Sequence, residues 1–598
     1  MRKVSWIALF YWLKTTAVMY VAVQMSPPGV TEHLLLIFSS LGPLLLWFGL
    51  SFFFFKRLHP WVLIVLMFLT TFFLYAHLIY YRFYEDFLTL PILLQVGNVG
   101  GLSQSTWTLL SPWDLLFIID LVVIGWWLIK RGSFTITPKE KKQYAGSAAG
   151  ISLVILAAAW WHSPHLFQEN YNRDKVVTSI SIYAYQWFDI AYSITAPLQK
   201  TMADQSAAEP VEGYVAEKEP IKTKWFGQAK GKNVVFITLE SVQNFVIDAE
   251  VKGEPVTPFL NQLKEESLYF SNLYDQASQG KSSDAEFMVD TGLYPLDGGS
   301  VFVRRPNNTF NGLPELLKDY QTTVFHGNVR TFWNREQMYD SLGYDQFISK
   351  QDYEINEENK INYGIEDKSF FRQSIPYMKQ LNEPYMAKFI TLTNHFPFLL
   401  DEKDRSLPLA ETSEPVVNRY LTTVRYLDES IRQLFQSLKE EGMYQDTMFV
   451  LFGDHYGISK EYEDGVHELL DQADTALSHT RNQRVPLLIH IPGMKGKTFD
   501  TLGGQIDIRS TVFHLLGKET ESYMSFSQNL LADDKEEFVA FRDGDFITPS
   551  YLFQDGICYK TDSSQPVNGS YCKEGREKAR EKLKLSDHII KGDLLRFK

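Results

Sequence analysis

The chain has 598 residues, 45% of them hydrophobic and 22% charged, and a net charge of −13. That length exceeds one domain of ordinary size, and the acidic balance argues against nucleic-acid binding, which asks for a basic face. The charge is divided: residues 1–165 hold eleven Lys/Arg against six Asp/Glu, a net of +5, so the remainder carries −18.

Five apolar stretches come first, at approximately 5–25, 33–55, 60–82, 114–130 and 144–162. They approach the ~20 residues that a membrane-spanning helix needs. From Leu44 to Phe55 the only polar side chain is Ser51, so no water-facing stripe can be drawn along that helix. Residues 1–165 are therefore predicted to be a polytopic helical membrane domain of about five spans. Arg2 and Lys3 precede the first span, Lys56 and Arg57 follow the second, and Lys130, Arg131, Lys139, Lys141 and Lys142 crowd the loop after the fourth. Positive charge marks the cytoplasmic side. The N-terminus is thus predicted inside and everything after residue 162 outside. Lys14 lies within the first span, where a charge either serves function or pairs structurally.

Residues 166–225 read as a connector, partly amphipathic. The stretch 176–198 is aromatic and suits a membrane surface, whereas Met202 to Pro220 is polar. Ser206-Ala207-Ala208 has the small-x-small form of a peptidase site, so release of the outer part by cleavage near Ala208 stands beside an ordinary exposed linker. The chain's two cysteines, Cys558 and Cys572, lie in no metal-finger spacing. Outside the cell such a close pair reads as a disulfide; the alternative is two free thiols.

Residues 226–598 form the outer domain. From 231 onward, β-rich apolar runs alternate with amphipathic helices, the pattern of an α/β fold with a largely parallel sheet. Val234–Ile237 runs into Thr238-Leu239-Glu240. Thr323–Phe325 runs into His326-Gly327-Asn328, Phe389–Leu392 into Asn394-His395, and Met448–Phe452 into Gly453-Asp454-His455. Pro486–Ile491 is a further strand. A long helix is predicted over 416–441, with Leu421, Val424, Leu427, Ile431, Leu434 and Leu438 at helical spacing and Gly442 as its stop. In open α/β sheets ligands bind beyond the carboxyl ends of the strands, and four predicted strands deliver a carboxylate or a histidine there.

Glu240, Asp454 and His455 are an O/O/N set that suits Mn²⁺, Zn²⁺ or Mg²⁺, and ligand type alone does not choose among them. Each residue also has an ordinary structural reading, as a cap or a turn element. Gly280-Lys281-Ser282-Ser283 precedes a helix, whose N-terminus favours an anion or an alkoxide. Taken by itself, the run reads first as a plain N-cap at Ser282 or Ser283. No GxxxxGK[ST] loop and no GxSxG elbow is present.

Thr238-Leu239-Glu240-Ser241, the GKSSDAEFM run at 280–288, Phe332-Trp333-Asn334-Arg335, Thr393-Asn394-His395-Phe396-Pro397-Phe398 and Gly453-Asp454-His455-Tyr456-Gly457 occur in this order. Together they resemble the lipoteichoic acid synthases of Gram-positive bacteria, in the sulfatase-like branch of the alkaline phosphatase superfamily. The resemblance spans nearly the whole chain. It implies an extracytoplasmic sulfatase-like domain on a membrane anchor. It also implies transfer of glycerol phosphate from phosphatidylglycerol to a glycolipid-anchored polyglycerolphosphate, with release of diacylglycerol. By position it implies Glu240, Ser282, Asp454 and His455 as ligands of one Mn²⁺, Ser282 as the nucleophile, and Trp333, Arg335 and His395 as substrate-binding residues. The family's nucleophile is usually Thr; Ser282 keeps the hydroxyl but loses the methyl, which leaves the side chain freer to rotate. The same family type includes primases that add only the first unit, and phosphoethanolamine transferases use a similar nucleophile and metal. A true sulfatase needs a Pro and an Arg after its nucleophile, and Ser282 is followed by Ser283-Asp284-Ala285-Glu286. A domain that only binds phospholipid or polymer is the remaining alternative.

Overall fold

The computed structural model describes the chain except for residues 56–57, 95–108, 133–134, 165, 167–171, 217–221, 362–363 and 519–523. Lys56 and Arg57 thus lie outside the described residues. The chain divides into two compact units, with the break between Thr195 and Ala196.

Among its described residues the first unit holds five helices long and apolar enough to cross a membrane: Arg2–Ala22, Val30–Phe53, His59–Tyr84, Pro112–Arg131 and Pro138–His162. Large side chains such as Phe53, Phe72, Trp126 and Trp161 point outward, as expected where the surroundings are lipid. Lys14 is paired. Its Nζ lies 2.7 Å from Asp120 Oδ1 and also donates to the Phe117 carbonyl (3.1 Å) and to Thr71 Oγ1 (3.3 Å). A charge in hydrocarbon is tolerated when a counter-charge and hydrogen bonds surround it. Arg82, at the end of the third helix, pairs with Asp114 at the start of the fourth at 2.7 Å. Lys141, at the start of the fifth, donates to the Phe52 carbonyl at the end of the second. Each contact fixes two helix ends on one side of the unit.

The connector region is helical over Arg173–Met202, with a non-helical Ser181, and again over Glu209–Ala216. Ala208 is buried, and the Ala207 carbonyl accepts from His588 Nε2 at 3.0 Å.

The second unit is built on a nine-stranded sheet: β1 (Asn233–Leu239), β2 (Leu268–Tyr274), β3 (Gln321–His326), β4 (Gln346–Ile348), β5 (Tyr385–Ile390), β6 (Thr447–Gly453), β7 (Arg484–His490), β8 (Lys497–Phe499) and β9 (Gly503–Gly504). The order is β8-β2-β7-β6-β1-β5-β3-β4, with β9 also on β2. Only β7 runs against its neighbours; the other pairings are parallel. The central strands are buried along their whole length, the pattern of a sheet covered on both faces.

The strand expected at 389–392 instead spans Tyr385–Ile390. Lys388 hides its start in the sequence, because a lysine reads as a surface residue. Here its Nζ is buried between the two oxygens of Asp290, at 2.6 and 2.7 Å. The helices that matter for the site are α1 (Ser282–Thr291), α2 (Arg335–Leu342), α3 (Asp367–Met378) and α4 (Pro415–Glu440). The six apolar residues expected to line α4 are all buried, and Gly442 beyond it has φ 75°.

The C-terminal part adds five short antiparallel strands, β10 (Val539–Ala540), β11 (Phe546–Ile547), β12 (Tyr551–Gln554), β13 (Ile557–Lys560) and β14 (Pro566–Val567), followed by α5 (Lys573–Gly592). The expected disulfide is present: Cys558 on β13 is joined to Cys572, just before α5.

Candidate active site

The four strands that were expected to carry polar residues are neighbours in the sheet, in the order β6-β1-β5-β3, and all are parallel. Their carboxyl ends therefore meet along one edge, where such sheets bind ligands. Leu239 pairs in register with Gly453, so Glu240 and Asp454 leave the sheet side by side. A side chain at Gly453 would meet the Val242 carbonyl at 2.1 Å, which explains why glycine stands before the aspartate.

Glu240, Asp454 and His455 are buried, and one ligand atom from each lies within 4.8 Å of the others. Asp454 Oδ1 accepts the backbone N–H groups of Ser241 (2.7 Å) and His455 (2.9 Å). Its Oδ2 is buried without a hydrogen-bond partner, 3.6 Å from His455 Nε2. Glu240 Oε1 accepts from Ser241 Oγ at 2.8 Å. His455 Nδ1 donates to the Tyr456 carbonyl at 2.8 Å, which fixes Nε2 as the nitrogen carrying the lone pair.

Burial and the neighbouring Asp454 push the Glu240 carboxyl well above the usual carboxylate range. Burial raises Asp454 to about 6 and lowers His455 to about 4, with Lys281 adding to the latter. Two buried carboxylates, one with an orphaned oxygen, and a neutral imidazole fit a divalent cation, whose charge would offset the raised carboxyl values and keep the imidazole unprotonated. Among the described residues this is the only group of three or more such side chains with metal-site spacing.

The hydroxyl comes from α1. Ser282 Oγ donates to Glu240 Oε2 at 3.3 Å and lies 3.4 Å from His455 Nε2. The N-cap of α1 is Lys281, so neither serine is the plain cap. Ser283 is engaged elsewhere, donating to the Gly280 carbonyl at 2.6 Å and meeting Ser300 Oγ at 2.7 Å. A side chain at Gly280 would strike the Asp284 carboxylate at 2.1 Å; that carboxylate folds back to accept the N–H groups of Ser278 (3.0 Å) and Gly280 (2.9 Å).

Arg335 opens α2 and is buried. Its Nη2 donates to Glu286 Oε1 at 2.8 Å, and its Nη1 meets His326 Nε2 at 3.3 Å. Burial alone would lower its pKa, but Glu286 and Tyr339 outweigh that and hold it raised. Trp333 is half-exposed, two residues away, and is not a core aromatic. His395 follows β5; its Nδ1 donates to the Phe396 carbonyl at 2.9 Å, and burial lowers its pKa to about 4.

Ser241, Lys281, Trp333, Asn334 and Phe398 have φ between 45° and 62°. Each adjoins or belongs to one of these segments. Non-glycine residues in the left-handed region cost about 1–3 kcal/mol each and gather at functional sites. Sequence reasoning put His326 at a strand end without giving it a role, and it missed Glu286 and also Gln505, whose Nε2 holds the carbonyls of Gly453 (2.8 Å) and Asp454 (2.6 Å). The GKSSDAEFM run contains Glu286, but nothing in it marks that residue apart from the surface acids.

Comparison with known proteins now decides the family. The profile of the lipoteichoic acid synthase N-terminal domain matches residues 1–202, and that of sulfatases matches residues 232–518. The chain is 37% identical over 596 residues to lipoteichoic acid synthase 2 of Bacillus subtilis, covering 98% of this chain and 92% of that protein. This chain belongs to the lipoteichoic acid synthase family. It is also 34% identical over 599 residues to lipoteichoic acid synthase of Staphylococcus aureus, covering 98% and 93%. A crystal structure of the lipoteichoic acid synthase LtaP from Listeria monocytogenes superposes with a TM-score of 0.58 at 26% identity, covering 64% of this chain and 98% of that one. The expected architecture, apolar N-terminal helices followed by a sulfatase-like α/β domain of the alkaline phosphatase superfamily, is therefore established. Family members are transferases, and the Glu240–Asp454–His455 group gives this one a place for a metal ion.

Proposed function

We propose that this member of the lipoteichoic acid synthase family transfers glycerol phosphate from phosphatidylglycerol to a polyglycerolphosphate chain or its glycolipid anchor, through a covalent intermediate on Ser282. The observation that carries this reading is the approach of Ser282 Oγ to both Glu240 Oε2 and His455 Nε2, 3.3 and 3.4 Å. The names of its relatives and the helix N-terminus beneath the hydroxyl support it.

Glu240, Asp454, His455 and Ser282 would hold the cation, Mn²⁺ on the resemblance, which lowers the pKa of the hydroxyl and offsets charge on the phosphate. Ser282, as alkoxide, attacks phosphorus in line with the diacylglycerol oxygen. The bond to that oxygen breaks, and diacylglycerol leaves with a proton. The N–H groups of Arg335 face the charge on the phosphoryl oxygens. With Nδ1 donating, His395 Nε2 is an acceptor. It takes the proton of the incoming acceptor alcohol, whose oxygen displaces Ser282, and gives a proton to diacylglycerol in the next cycle. Trp333 packs on the glycerol. The outer domain faces the extracellular side with the N-terminus in the cytoplasm, as the placement of Lys and Arg indicates. Both lipid headgroup and acceptor are then within reach at the outer leaflet.

The test is turnover of fluorescent phosphatidylglycerol by the purified full-length protein with Mn²⁺, alongside Ser282→Ala and with phosphatidylethanolamine as a parallel substrate. Diacylglycerol release from phosphatidylglycerol alone, lost in the variant, is expected. Release from phosphatidylethanolamine instead would move the chain to the phosphoethanolamine transferases. Addition of a single unit to the glycolipid, without elongation, would make it a primase.

A further inference from the structure

Ser282, Glu286 and Asp290 follow one another at four-residue spacing along α1, so they share one helix face. Ser282 faces Glu240 and His455. Asp290 is held by Lys388 of β5, as described above. Glu286, wholly buried between them, takes Arg335: Nε and Nη2 both donate to Oε1, at 3.1 and 2.8 Å, while Tyr339 donates to Oε2. On the other flank Arg335 Nη1 donates to His326 Nε2. His326 can accept there because its Nδ1 donates to the Ile390 carbonyl at 3.1 Å.

A guanidinium has five N–H donors. Three of those on Arg335 are committed, two to Glu286 and one to His326. The remaining two sit one on Nη1 and one on Nη2.

We propose that Glu286 is a positioning residue that, with His326 opposite, turns Arg335 end-on, so that its two terminal N–H groups grip a pair of phosphate oxygens. Because Glu286 and Ser282 share α1, one rigid element sets both the nucleophile and the anion grip. This rests on the reading of Arg335 as a phosphate ligand. The carboxylate itself touches no substrate; it acts through the guanidinium.

The test uses the full-length protein with phosphatidylglycerol as substrate, inorganic phosphate as competitive inhibitor, and Mn²⁺ binding as a separate measurement. In Glu286→Gln, kcat/KM is expected to fall by about ten- to a hundredfold, the usual weight of a charged hydrogen bond. Inhibition by phosphate should weaken in step, with Mn²⁺ affinity unchanged. On an Arg335→Lys background the same substitution should change nothing further. Equal loss of Mn²⁺ affinity would mean a collapse of α1 and overturn the proposal, as would additive effects or unchanged inhibition by phosphate. If Glu286→Gln does not fold, Tyr339→Phe, which removes one donor to the same carboxylate, must still weaken inhibition by phosphate; unchanged inhibition again overturns it. An Arg335→Lys enzyme with full turnover would sink the underlying reading of Arg335. A crippled Arg335→Lys beside an intact Glu286→Gln would sink only the positioning role.

Discussion

Ser282 and Glu286 stand one turn apart on the same helix, so the hydroxyl facing the carboxylate–histidine group and the anchor of Arg335 move as one piece. A tilt of that helix changes both together, and substitutions at either end of it should report on different steps.

Ser282→Ala should lower diacylglycerol release by about three orders of magnitude or more, the usual loss when a nucleophile is removed. Ser282→Thr should keep turnover, since the hydroxyl remains and the added methyl only restricts χ1. Ser283→Ala should leave the chemistry and lower stability, because its hydroxyl ties down Gly280 and Ser300. The reverse ranking of the two alanine variants would transfer the nucleophile's role to Ser283.

Removal of the cation should destabilise the sulfatase-like domain. Glu240 and Asp454 repel each other without it, and a cation at about a hundred times its Kd adds about 2.7 kcal/mol. Glu240→Gln should raise the stability of the metal-free protein and gain nothing from Mn²⁺. Thermal unfolding of both proteins with and without a chelator measures this. A wild-type Tm indifferent to the chelator would count against a bound ion.

Asp367 gives a pH signature away from the metal group. It opens α3, accepts the N–H groups of Leu392 (2.9 Å) and Thr393 (3.0 Å), and burial raises its pKa to about 6. A carboxyl raised in the folded state favours the protonated form. Its contribution to stability is full below the unfolded value near 4 and is lost as pH rises through about 6. The stability of wild type relative to Asp367→Asn should therefore increase by about 2 kcal/mol as pH falls from 7 to 4. Denaturant unfolding across that range tests it, and a difference that stays flat would refute the assignment.

In the membrane unit, Lys14→Met leaves Asp120 buried without its counter-charge, which should cost about 3–5 kcal/mol. Adding Asp120→Leu should restore most of the loss. Thermal stability in detergent gives the comparison; a double variant no better than the single would show that the pair does more than neutralise itself.

Much of this was legible before any coordinates. The central strands are runs of Val, Ile, Leu and Phe with polar residues at their ends, and that pattern alone placed Glu240, Asp454 and His455 on one edge. What could not be read were buried charges. Lys388, Asp290 and Glu286 look like surface residues because sequence pattern records a residue's type and not its partner. Only the family resemblance told the two serines of α1 apart, since no periodicity says which hydroxyl turns toward the carboxylates. The C-terminal strands, each two to four residues long, are too short for an alternating pattern to register.

The hydrogen bond from the Ser241 backbone to Asp454 joins residues 213 positions apart, and β3 and β5 come from the chain between them. Contacts this distant in sequence form late. On the proposed topology the chain crosses the membrane in order, so Glu240 is delivered long before its partners, and the enzyme stays inert throughout export. On the proposed function, no partly translocated chain attacks the lipid beside it; activity then begins only after the segment bearing Asp454 and His455 has emerged and the sheet has closed.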